Sequence, residues 1–141
     1  DLTPLIFTAH SLPTAMAARS PYVEQLETSA RLIAERLGRR DWWLAYQSRS
    51  GKPSDPWLEP NIGTTIRQLA GDGHGEIVVA PIGFVCDHVE VLYDLDIEAK
   101  QLADTLGLRW LRASCPNDHP TFIRMMAEVI QKKIIMAEDR G

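Results

Sequence analysis

The chain has 141 residues, 45% of them apolar, and a formal net charge of -4. Such a length suits one globular domain over residues 1–141, stable without disulfides or a structural metal, because folding at this size hides roughly 70% of the chain's surface. The dispersed basic residues argue against a nucleic-acid partner, and no apolar run reaches the ~18 residues of a bilayer span, so no transmembrane segment is expected.

Taken in chain order, short apolar runs alternate with helical patterns. Residues 4 to 9 read as a strand, and Leu26, Ala30, Ile33, Ala34 and Leu37 place a helix over 21–37, closed by Gly38. Trp42 to Tyr46 reads as a second strand, followed by a Gly/Pro/Ser loop and a helix from Ile62 to Ala70 that ends in the Gly71-Asp72-Gly73 turn. Residues 76 to 80 form a third strand, expected to be buried on both faces, and a long helix over 87–106 is closed by Gly107. Leu108 to Leu111 is the fourth strand, and Pro120 to Ile135 the last helix, with proline in its first turn.

This alternation predicts an α/β fold: a single doubly wound, flavodoxin-like domain with a four-stranded parallel sheet of order 2-1-3-4 and helices on both faces. In such sheets ligands bind beyond the carboxyl ends of the strands. There the sequence places His10-Ser-Leu-Pro13, Gln47-Ser-Arg-Ser-Gly51, Pro81-Ile-Gly-Phe84 and Pro116-Asn-Asp118, whereas the opposite edge carries short turns such as Gly73-His-Gly75.

His10 follows a buried strand, so its ring is expected in the cleft, as a ligand, as a base or as a hydrogen-bonded structural group. Glu90, Asp94 and Glu98 recur every four residues and stack three carboxylates along ~12 Å of one helix face, although like charges at that spacing oppose each other by ~0.2–0.5 kcal/mol per pair. The row reads either as a solvated acidic face or as a path for divalent cations or protons; its start at the strand ends favours the path, since carboxylates hold hydrated ions and imidazole suits iron, cobalt and nickel. His88 lies roughly 200° around the helix from Glu90 and is read as a neighbouring or proton-accepting group. Trp57, in the proline-restricted loop 53–60, offers a flat apolar face to an aromatic ligand or plugs the core. Cys86 and Cys115 lack C-x-x-C spacing, fit a reducing cytoplasm and read as small hydrophobes. Nucleotide-binding glycine motifs and H-E-x-x-H do not occur.

Together, Phe7-Thr-Ala-His-Ser-Leu-Pro13, Tyr46-Gln-Ser-Arg49 with Pro56-Trp-Leu-Glu-Pro60, Pro81-Ile-Gly-Phe-Val85 and Asp87-His-Val-Glu-Val-Leu-Tyr-Asp-Leu-Asp-Ile-Glu98 closely resemble the C-terminal half of the ferrochelatases, over residues 5 to 130. The resemblance implies insertion of ferrous iron into a porphyrin, protoporphyrin IX or coproporphyrin III, in haem biosynthesis. It implies His10 and Glu90 as a catalytic, metal-handling pair facing each other across the macrocycle, Asp94 and Glu98 as an acidic ridge with room for a further divalent cation, and Ser48, Trp57 and His88 as porphyrin-lining residues. It also implies a homologous N-terminal domain as partner, no permanently bound cofactor and, without the cysteine set some members carry, no iron–sulfur cluster. Two rivals are a homodimeric single-domain cobalt or nickel chelatase, which would bring paired histidines, and a non-catalytic metal-binding module.

Overall fold

The computed structural model describes residues 3–138. Four parallel strands, β1 (Leu5–His10), β2 (Trp43–Gln47), β3 (Glu76–Ala80) and β4 (Arg109–Arg112), form one sheet in the order β2-β1-β3-β4, as the alternation predicts. Helices α1 (Thr14–Ala17) and α2 (Tyr22–Arg36) follow β1, and α3 (Ile62–Gly71) follows β2. After β3 the chain runs through α4 (Val89–Val91), a π-helical segment (Leu92–Ala99) and α5 (Lys100–Thr105) as one continuous helix; α6 (Pro120–Glu138) follows β4.

Local chemistry sets these boundaries. Asn61 caps α3 by accepting the Gly63 N–H at 2.8 Å, and Gly38 and Gly107 take φ of +68° and +74° after α2 and α5, the left-handed turn that lets a helix stop.

One face of the sheet, built on Ile6, Ala45, Ile77 and Val79, packs against Ile62, Ile66 and Leu69 of α3 and against Val91, Leu95, Ala99 and Ala103 of the long helix. On the other face Leu5 and Phe7 meet Ala30 and Ala34 of α2. Here β3 departs from expectation: Ile77 and Val79 are buried, but Val78 and Ala80 are only half covered. The reason is α6, whose side chains over residues 120–137 are all exposed apart from the half-buried Phe122, so α2 alone covers this face.

The strands end in a staggered way that positions the site. His10 pairs with Gln47, but on the other side the β1 to β3 register closes at Phe7 with Ala80, three residues earlier. The loop after β3 therefore folds back over the end of β1, with the Gly83 N–H bonded to the Thr8 carbonyl at 3.0 Å. A Cβ on Gly83 would lie 2.5 Å from the Ala9 Cβ, so only glycine lets the loop cross this closely.

Candidate functional site at the carboxyl edge of the sheet

His10 and Glu90 meet above the ends of β1 and β3, on neighbouring segments of the carboxyl edge, with His10 Nε2 3.5 Å from Glu90 Oε1. Their side chains remain 33% and 51% exposed, so both can be reached by a ligand. The His10 ring is oriented from behind: Nδ1 lies 2.5 Å from the Ser11 carbonyl oxygen. A carbonyl can only accept, so Nδ1 carries the hydrogen and, in the neutral ring, the lone pair sits on Nε2, facing Glu90. Tyr22 of α2 holds the same residue by donating its hydroxyl to the His10 carbonyl at 2.8 Å; burial raises the phenol's pKa and keeps it a donor.

A ring sandwiched between His10 and Glu90 would need about 7 Å, twice a van der Waals contact of ~3.5 Å, and the two groups stand at half that distance.

Beyond this pair opens a cleft of about 250 Å³ lined by Gln47, Ser48, Arg49, Asn61, Asp94 and Glu98, among others. Ser48, at a left-handed φ of +62°, donates its hydroxyl to the Asp94 carboxylate. Gln47 is buried, and neither its amide oxygen nor its nitrogen has a protein partner among the described residues. Leaving such groups unsatisfied costs ~1–3 kcal/mol each. The two carboxylates and the hydroxyl are hard donors of the kind that hold a hydrated divalent cation. His10, Glu90, Asp94 and Glu98 do not form a single centre, however: among the described residues no three His, Cys, Asp or Glu side chains converge on a point where a metal ion could sit. They make a pair and, beyond it, a two-carboxylate row.

The acidic row stays on one face because its helix is not regular. In an α-helix each four-residue step overshoots a full turn by about 40°, or about 120° over three steps. Both the row at 90, 94 and 98 and the core positions Val91, Leu95, Ala99 and Ala103 keep a strict spacing of four, and the wider i→i+5 turn over Leu92–Ala99 removes that drift. This strict spacing is the signal that a regular helix over 87–106 overlooks.

His88 stands at the start of this helix as its cap: Nδ1 accepts the Glu90 backbone N–H at 3.2 Å, and the ring meets Phe84 edge-on at 5.3 Å. One nitrogen is thus committed to holding Glu90's backbone, leaving Nε2 for a ligand or proton. Trp57 is half-buried in a loop fastened to the segment after β1 through Leu58 N–H to Leu12 carbonyl, 2.9 Å, and Thr14 N–H to Pro56 carbonyl, 3.0 Å. It flanks the same edge and does not line the Gln47 to Glu98 cleft.

A further cluster was not legible in the sequence. Arg112, at the end of β4, reaches Asp96 of the π segment through Nε at 2.5 Å and Nη2 at 2.8 Å, and Asp87 through Nη1 at 2.8 Å. Asp87 also accepts from Asn117 Nδ2 at 2.9 Å and from the Cys115 N–H at 3.2 Å. Burial opposes its charge, but the bonds from Asn117, Cys115 and Arg112 prevail and hold its pKa at about 2.

Comparisons with known proteins give the family. The family profile described as Ferrochelatase matches residues 1–134. A ferrochelatase of Rhodopirellula baltica is 47% identical over 133 residues, covering 94% of this chain and 38% of its own length. Coproporphyrin III ferrochelatases of Mycobacterium tuberculosis and Nocardia farcinica are each 45% identical, covering 91% and 95% of this chain and 38% and 40% of their own. The chain thus spans about 38–40% of the length of these relatives. Among the described residues no helix is long and apolar enough to cross a membrane.

Proposed function

Because the chain belongs to the ferrochelatase family, we propose that it forms the metal-handling side of a centre that inserts ferrous iron into a porphyrin in haem biosynthesis. A second domain of the same protein would supply the rest of the porphyrin pocket, in keeping with a matched stretch that is 38% of the Rhodopirellula relative. The observation that carries the reading is the paired His10 Nε2 and Glu90 Oε1, 3.5 Å apart and open to one side.

Metal insertion exchanges two pyrrole protons for one divalent ion, so the site must accept protons and strip water from the metal. His10 serves as acceptor: its part-exposed Nε2 carries the lone pair, and the Glu90 carboxylate beside it stabilises the imidazolium that forms. Glu90, on the same side of the ring, also holds the incoming ion as it sheds water. Asp94 and Glu98 deliver hydrated cations from the cleft or lead protons away, with Ser48, Trp57 and His88 against the porphyrin's edge. The names of the mycobacterial and nocardial relatives make coproporphyrin III the first substrate to try, with protoporphyrin IX beside it.

The test is anaerobic metalloporphyrin formation by the full-length protein, followed by absorbance with each porphyrin across an iron titration. His10→Ala and Glu90→Gln are expected to lower kcat ~10²-fold or more, the usual loss for a proton-transfer group. Asp94→Asn and Glu98→Gln should cost less and chiefly raise the iron concentration required. Near-wild-type turnover by His10→Ala alongside an inactive Glu98→Gln would place the chemistry in the row instead.

A further inference from the structure

The network around Arg112 lies outside the pair that touches substrate, yet it grips the segment carrying Glu90 at two points, one in the loop before the helix and one within it. Arg112 is 12% exposed and Asp87 18%, so water competes poorly for that contact, while Asp96, at 35%, is held by two bonds from the same guanidinium. The two contacts bracket Glu90 in sequence: Asp87 precedes it by three residues and Asp96 follows by six. Between them lie the His88 cap and the first turn of the π segment. An i→i+5 turn is rare and tends to persist only where the surroundings hold it, and a bidentate guanidinium on Asp96 fixes both the distance and the plane of its partner.

We infer that Arg112 is a positioning residue: by clamping Asp87 and Asp96 to the end of β4 it holds the π-helical register in which Glu90 meets His10 and Asp94 meets Ser48. Loss of the clamp lets the segment relax toward a regular α-helix. The four-residue row then drifts around the axis, and Glu90 leaves His10 while the sheet and its core remain. This inference rests on the reading of the site as a metal-insertion centre, but the clamp itself can be tested without activity.

The experiment uses the full-length protein with Arg112→Gln, Arg112→Lys and Asp96→Asn, and Leu69→Ala as a core variant that loses stability on α3, beyond the residues of that helix that line the cleft. Hydrogen exchange read by mass spectrometry should show Arg112→Gln opening residues 89–99 about tenfold faster while β1 is unchanged; unchanged exchange there overturns the clamp. In turnover, Arg112→Gln and Asp96→Asn should lose about tenfold or more in kcat with the porphyrin KM within about twofold, because a displacement of ~1 Å suffices for such losses. Arg112→Lys, which keeps the charge but not the fork, should fall between them and wild type. Added to Glu90→Gln, Arg112→Gln should cost less than about a further twofold, since the two act through one contact. If Arg112→Gln loses no more kcat than Leu69→Ala at equal loss of Tm, or if its effect multiplies fully with Glu90→Gln, Arg112 is merely structural. Should the wild-type protein form no metalloporphyrin at all, the functional reading falls and the exchange measurement still decides the clamp.

Discussion

Gly83 sets how closely the two partners of the site can approach, and its role is steric. An added Cβ would lie 2.7 Å from the Ala9 Cα and 2.5 Å from its Cβ, so the loop after β3 or the end of β1 must shift. Gly83→Ala is expected to cost ~1–3 kcal/mol, the usual range for overpacking. Gly75→Ala, where an added Cβ meets nothing within 4 Å, should stay within about 0.5 kcal/mol of wild type. Urea unfolding of the two variants side by side checks this, and equal midpoints would mean the crossing is looser than its geometry. Sequence reasoning reached His10 and Glu90 because position alone exposes them, one at a strand end and the other at the start of a row beside it. It could not reach Tyr22 or Arg112, whose importance lies in partners 12 to 25 residues away that only the fold brings near. Nor could it tell how close Glu90 stands to His10, because that depends on the return of the loop at Gly83.

At the scale of elements, the helix over 89–105 is secured to the sheet by ionised groups, and this makes its attachment sensitive to acid. Asp87 has a pKa of about 2 in the folded chain, against ~3.9 for an unperturbed aspartate. A depressed folded pKa contributes stability that is complete above the unfolded value and is lost as pH falls through the folded one. The contribution of Asp87 is therefore expected in full above pH ~5 and to vanish between pH ~4 and ~2. Asp87→Asn should lower stability at pH 7 and flatten that acid limb, as measured by urea midpoints taken every half pH unit; parallel limbs for the two proteins would remove Asp87 as the titrating group. The π-helical turn was the element that propensity could not supply. Its trace in the sequence is the coincidence of two four-residue periods, one acidic and one apolar, which a wider turn keeps in line.

At the scale of the whole molecule, the order 2-1-3-4 was legible because four buried runs, each followed by a helical pattern, leave right-handed crossovers few other arrangements. What the pattern could not show was which helix faces cover the sheet. The last helix has an apolar stripe on Phe122, Met126, Ile130 and Ile134, and a sequence reader would pack it on the open half of the second face. Instead it stands away from the sheet, with Met126, Ile130 and Ile134 exposed, Phe122 half-buried, and Val78 and Ala80 only half covered. A helix that buries almost nothing adds little to the stability of the domain, since most helical stability in proteins comes from packing of an apolar face. A 141-residue chain cut after His119 is therefore expected to keep its sheet and to melt within about 4 °C of the uncut chain, the size of a ~1 kcal/mol change in a domain of this length. The same cut removes an exposed apolar stripe, which in water favours self-association, so the uncut chain should sediment as larger species with rising concentration and the shortened one should not. Circular dichroism melts and sedimentation velocity on the two chains separate the outcomes. A shortened chain that fails to fold would mean that α6 supports the domain through Phe122 and the half-covered face after all, and that the stripe is part of this domain's core.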